Sequence, residues 1–207
     1  VGFRVLDDYP RRPHLDFYRG NPLPFYGVTF DLDATALRRR AKETAHSTYL
    51  ALCWAFHRAM HEVEAFRVRW QDGQVVLHDR LQMGMTVPAP RGTFTFATPG
   101  WHDDALAFLP AAEAVVADAA RGVDLTRGAA PDFAYYTALP RVPFTSFAHV
   151  MLPDPDAGQP STGFGRFREQ DGRTLVPVGI TVNHRYVDGN DLGALYEAAA
   201  ASFARAF

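Results

Sequence analysis

"VGITVNHRYVDGNDLGALYEAAAASF", residues Val178 to Phe203, reads as an apolar strand, a short polar corner and then a helix. The corner holds His184 and Asp188, with Gly189 directly behind. An imidazole can accept a proton at neutral pH and release it afterwards, and a strand end is a rigid platform for it. The Asp188-Gly189 turn brings a carboxylate and exposed backbone groups close in sequence. The same residues also describe a hydrogen-bonded corner that caps a helix, so spacing alone leaves both readings open. A metal site is not indicated, because no second histidine or cysteine stands near His184 at ligand spacing.

The elements around this corner follow from apolar periodicity and turn residues. "FYGVTFDLDAT" alternates as a strand and ends in Asp33 and Thr35, which can cap the short surface helix "ALRRRAKETA". "STYLALCWAFHRAMHEVEAF" is a longer helix behind a Ser47 or Thr48 cap. "FRVRWQDGQVVLHDRLQMGMTV" reads as two strands joined at Asp72-Gly73, a hairpin signal. "GTFTFATP" is a further strand, and "HDDALAFLPAAEAVVADAARGV" a helix with acids in its first turn.

"DFAYYTALP" and "FTSFAHVML" read as two strands broken at Pro140 to Pro143, and "PDPDAGQPSTG" as a loop. "GRFREQDGRTLVPVGITV" gives a second Asp-Gly hairpin, and the last helix runs from about Asp191. Hairpins outnumber crossovers and helices come singly between strand groups. The expectation is an α+β fold: one domain over residues 1–207, with helices packed on one side of a mixed or mainly antiparallel sheet.

With 207 residues the chain can bury a substantial core. Its 21 basic and 23 acidic side chains leave a formal charge of -2, which points to neither nucleic acid nor an anionic membrane as partner. The single cysteine, Cys53, permits no intramolecular disulfide, and a reducing, cytoplasmic setting is the default. No apolar run approaches the roughly 18 residues that span a bilayer. The start, "VGFRVLDDYPRRPHLDFYRG", is too charged for a signal peptide, so a soluble chain unprocessed apart from its initiator methionine is expected. His57 and His61 share one face of the long helix, but a metal pair lacks a third ligand there, and an exposed helical face is expected.

Three stretches carry a resemblance. "NHRYVDG" resembles the His-His-x-x-x-Asp-Gly signature of chloramphenicol acetyltransferases and their wider acyltransferase superfamily, just before the C-terminal helix. "RRPHLDFYRG" is similar to the family's N-terminal Arg-x-x-His-Phe-x-Phe-Tyr segment. "TALPRVPFTSF" resembles its Ala-Leu-Pro-x-Val-x-Phe-x-Ser-Phe strand, and the order and separation of all three match.

The resemblance implies the chloramphenicol acetyltransferase-like fold and an acetyl-CoA-dependent O-acetyltransferase without a metal. Its acceptor would be chloramphenicol or a related small alcohol, and antibiotic resistance the setting. His184 takes the place of the general base, and Ser146 that of the donor to the oxyanion. Asp188 and Arg11 match an ion pair that holds the corner, with Arg12 one residue away. Phe17 and Tyr18 match the aromatic lining of the acceptor pocket, and Arg166 and Phe147 fall on the CoA side. The resemblance further implies a homotrimer with active sites at subunit interfaces, and neither nucleic acid nor membrane as partner.

Asn183 stands where the signature has its first histidine, and Gly163 where typical members have a threonine, with Thr162 adjacent. Pro143 replaces a polar residue of the drug-modifying members. "NHRYVDGNDLGAL" also resembles the Asp-His-Arg-x-x-Asp-Gly segment of dihydrolipoamide acyltransferase cores, which is the alternative function. A relative that binds CoA or another ligand without turnover is the third. The N-terminal and Ser146 stretches favour the chloramphenicol branch.

Overall fold

Asp72 and Gly73 take positive φ angles of 50° and 81°, and Asp171 and Gly172 repeat this at 49° and 75°. Both pairs therefore close tight hairpins whose twist matches that of the strands they join. The first links β3 (Val68–Gln71) to β4 (Gln74–His78), and the second links β9 (Arg168–Gln170) to β10 (Arg173–Asn183). The computed structural model describes residues 2–126, 130–150 and 154–207.

The remaining strands are β1 (Phe3–Val5), β2 (Phe25–Asp33), β5 (Gln82–Ala89), β6 (Thr93–Ala97), β7 (Phe133–Ala138) and β8 (Ser161–Phe164). A small sheet has the order β1-β4-β3; a seven-stranded sheet has the order β2-β10-β8-β7-β5-β6, with β9 paired on β10. Only β5–β7 and β7–β8 run parallel, so the large sheet is mixed and mainly antiparallel. Among the described residues five α-helices complete the fold: α1 (Arg12–Tyr18), α2 (Thr35–Glu43), α3 (Thr48–His61), α4 (Ala105–Ala119) and α5 (Gly189–Arg205). None is long and apolar enough to cross a membrane among the described residues.

Successive side chains of a strand face opposite sides. In β10, Val176, Val178, Ile180 and Val182 join one core with Leu37 of α2, Phe56 of α3, Phe108 of α4 and Phe203 of α5. Ser47 caps α3 by accepting from the Leu50 N–H, and that helix is buried nearly all round from Leu50 to Met60. It is the central helix of the core, which leaves β10 flanked by helices on one face.

On the other face, Gly179 pairs with Gly163 of β8, and Gly27 of β2 with Thr181. These glycines leave a hollow that the ring of Phe147 fills. A Cβ at Gly163 would lie 2.5 Å from that ring, and one at Gly179 2.9 Å from the Phe147 side chain. Residues 144–150 cross the sheet here without forming the expected strand. Two of their N–H groups meet side chains instead, Phe147 donating to Thr29 Oγ1 at 3.3 Å and His149 to Thr181 Oγ1 at 3.4 Å. The end of that expected strand, residues 151–152, and residue 153 of the loop lie outside the described residues.

Two further differences concern the site. The stretch read as a loop ends in β8, which lies between β10 and β7 despite Pro160 just before it and Gly163 within it. The charged N-terminal stretch contains α1, with Pro13 in its first turn, where a missing N–H costs nothing. That helix has only Leu15 in the core, so its position depends on polar anchors.

Candidate active site

His184 follows the last residue of β10, and its backbone N–H donates to Pro24 O at 2.7 Å. The imidazole lies between two phenol rings. Tyr18 stacks on it with centroids 4.6 Å apart and planes 19° apart, and Tyr26 tilts against it at 4.6 Å. Among the described residues Nδ1 is enclosed without a hydrogen-bond partner, which leaves Nε2 as the nitrogen open to a reacting group. Tyr26 stays protonated, its hydroxyl pushed up to about 12 by burial and by the nearby Asp188 and Asp191 carboxylates.

Asp188 is the N-cap of α5, accepting from the Asn190 and Asp191 N–H groups, while Asp191 accepts from the Asp188 N–H. The carboxylate pairs with Arg11 at 3.2 Å, and the same guanidinium reaches Asp191 at 2.5 Å and Tyr186 O at 2.8 Å. Burial raises the Asp188 carboxyl, but the Asp191 and Asn190 N–H donors and Arg11 outweigh it, and the group lies below its ordinary value. Arg12 instead pairs with Asp16 at 3.2 Å. The corner is thus a capped turn and an ion-paired platform at once.

Asn183 is buried and fully used: its amide donates to Pro155 O and Ala157 O at 2.9 Å each and accepts from the Arg185 N–H at 2.9 Å. The Tyr186 hydroxyl donates to Asp156 O at 2.9 Å and accepts from the Trp70 N–H at 3.1 Å. Loop 154–158, the small sheet and α1 therefore all converge on the residues beside His184.

Phe17 stands beside Tyr18 at 5.0 Å but is 78 % exposed. Ser146 is exposed and makes no side-chain hydrogen bond among the described residues. Arg166 lines a groove of about 440 Å³ with Pro143, Phe144, Thr145 and Phe167. Phe147 lies in the glycine hollow, and Phe144 connects the two by stacking on it at 5.2 Å. Thr162 is fully buried on the core side of β8, opposite the face of Gly163, and its hydroxyl has no partner among the described residues.

Three other residues complete the inventory. His57 does not present an exposed face: it is fully buried, between Tyr136 Oη at 2.8 Å and Leu81 O at 3.0 Å. His61 bonds His57 O and the Leu81 N–H. His57 is thus satisfied within the core and His61 at its partly buried edge, and burial lowers the affinity of both for a proton. Cys53 is also fully buried, and burial pushes its thiol far up. Among the described residues, no group of three histidines, cysteines or acids could hold a metal ion.

The residues that sequence reading left unassigned are Tyr26, Asp156, Arg185, Tyr186 and Trp70. Only Arg185 carried a signal, because a cation in a run that is otherwise buried requires partners.

The model of the family described as chloramphenicol acetyltransferase matches residues 3–198. A chloramphenicol acetyltransferase of Streptomyces acrimycini is 30% identical over 188 residues, 89% of this chain and 86% of that protein. A solved chloramphenicol acetyltransferase superposes with a TM-score of 0.88 at 24% identity, covering 98% of this chain and 100% of the other. The probable dihydrolipoamide acetyltransferase of Listeria monocytogenes 4b F2365 shares the fold at a TM-score of 0.69 and 13% identity, over 93% and 89% of the two chains. By class, then, this chain is an acyltransferase. Within that class it belongs to the chloramphenicol acetyltransferase family.

Proposed function

We propose that the chain transfers an acetyl group from acetyl-CoA to the hydroxyl of a small alcohol, chloramphenicol or a related acceptor, with His184 as general base. The observation that carries this reading is the imidazole held between Tyr18 and Tyr26 with Nδ1 enclosed and Nε2 open. Nε2 takes the hydroxyl proton as the acceptor oxygen attacks the thioester carbonyl. The tetrahedral intermediate then collapses with cleavage of the C–S bond, and the imidazolium protonates the departing thiolate. The products are an acetyl ester and the CoA thiol.

Ser146 donates a hydrogen bond to the oxyanion of that intermediate. Arg11 and Asp188 orient the base, Phe17 and Tyr18 line the acceptor side, and Arg166 meets a CoA phosphate, with Phe147 on the same side. The enzyme acts as a cytoplasmic homotrimer in which His184 of one subunit faces a pocket built largely by its neighbour. The exposure of Phe17 and the unbonded Ser146 support such a shared site.

The test is thiol release from acetyl-CoA with chloramphenicol as acceptor, for wild type and His184→Ala. Release that requires both drug and histidine is expected. Drug-dependent release that survives in His184→Ala would remove the mechanism. Absence of drug-dependent release by the wild type would remove chloramphenicol as acceptor.

A further inference from the structure

Arg185, the residue after the base, has a side chain only 2% exposed. A buried guanidinium is stable only when its donors are matched. Here every branch of the fork has an acceptor. Nε donates to Tyr18 O at 3.2 Å, and one terminal nitrogen to Arg19 O at 3.0 Å and Asn21 O at 3.4 Å. The other terminal nitrogen pairs with the Asp156 carboxylate.

Three of these acceptors are backbone carbonyls at and just beyond the C-terminal end of α1. The last carbonyls of a helix lack partners within it, and here a side chain from another element supplies them. Arg19 in turn lies over the Trp70 ring at 4.4 Å, which holds the same segment from outside. Arg11 fixes the start of the helix to α5. A seven-residue helix with one core side chain is thereby held at both ends, and the ring it delivers is the one stacked on His184.

We infer that Arg185 is a positioning residue for the base: by binding the end of α1 it fixes the Tyr18 ring on His184. The functional part of this inference rests on the reading of His184 as the base. Asp156 neutralises the guanidinium and connects loop 154–158 to the same point. Lysine at 185 would keep the charge, but a single ammonium lacks the planar fork that serves these acceptors together.

The test uses the full chain with histidine-selective 13C labelling. The His184 signal, identified by its loss in His184→Gln, reports the neighbouring rings through its chemical shift. In Arg185→Lys the signal is expected to move toward its position in Tyr18→Leu. Turnover should fall by about 10-fold to 10²-fold through misplacement of the base, with KM for acetyl-CoA unchanged. Arg39→Gln, which removes a remote surface ion pair, should change neither.

A folded Arg185→Lys whose His184 signal coincides with wild type overturns the inference. If that variant does not fold, Asp156→Asn replaces it: a smaller movement in the same direction supports the clamp, and an unmoved signal overturns it. A wild type that binds acetyl-CoA and transfers to no alcohol removes the base assignment. The His184 signal still decides, independently, whether Arg185 sets the stack.

Discussion

Phe147 occupies the space that a side chain at Gly163 would need, its ring carbon only 2.5 Å from where a Cβ would stand. The glycine at 163, where the resemblance implies a threonine, is therefore matched by a packed aromatic ring. Gly163→Thr is expected to destabilise the chain by about 1–3 kcal/mol, as overpacking does. A double-mutant cycle with Phe147→Ala in urea should show strong coupling, the threonine costing little once the ring is gone. Simple additivity would show that the ring does not decide the residue at 163.

His184→Gln should lower acetyl transfer by roughly 10²-fold to 10⁴-fold, the usual contribution of a placed acid or base. The thermal unfolding curve should be little changed, because the ring makes no side-chain hydrogen bond among the described residues. Stopped assays of thiol release check the first part and circular dichroism the second.

Ser146→Ala should cost roughly 10²-fold or more in turnover. An exposed, unbonded hydroxyl contributes little to folding, so stability should stay within about 0.5 kcal/mol of wild type. Parallel kinetics and urea titration separate the two effects; unchanged turnover would exclude the oxyanion role.

Asp188 carries a pH dependence whose sign follows from its lowered proton affinity. Its folded value lies below the ordinary 3.8, so the stability it contributes is present above that value and is lost as pH falls through the folded one. Asp188→Asn retains a good helix cap while removing the charge. The variant should be less stable than wild type near pH 6, and the gap should close below pH 3.8. A gap independent of pH would mean that Arg11 contributes nothing through charge.

His57 acts over a higher range. Its folded form resists protonation because it is buried, whereas the unfolded chain binds a proton near 6.5. Stability should therefore decline as pH falls below that value, by about 1.4 kcal/mol per pH unit for such a group. His57→Gln, which keeps one donor and one acceptor, should flatten the slope in chemical denaturation between pH 5 and pH 6.5.

Local chemistry was legible before the fold was known. The two Asp-Gly hairpins, the long apolar helix, the α+β layout and the corner bearing His184 and Asp188 all follow from residue type and spacing within short windows. The resemblance of three motifs then pointed to the family, which the comparisons show, and to the roles proposed above for Arg11, Ser146 and His184. Asp188 as helix cap was also within reach, since Asp191 three residues on is the reciprocal partner.

Other features were set by contacts between residues distant in sequence. β8 reads as a loop because its one glycine, Gly163, is explained only by the Phe147 ring above it. The segment bearing Ser146 has strand-like alternation, yet it meets threonine side chains rather than a strand's backbone. His57 appears polar on a helix until α3 is seen to be surrounded by core. Arg185 shows the same division: its charge and its place beside His184 are written in the sequence, but three of its acceptors are backbone carbonyls at and just beyond the end of α1. A carbonyl is common to every residue and leaves no sequence signal, so only the tertiary structure could say which ones the guanidinium binds.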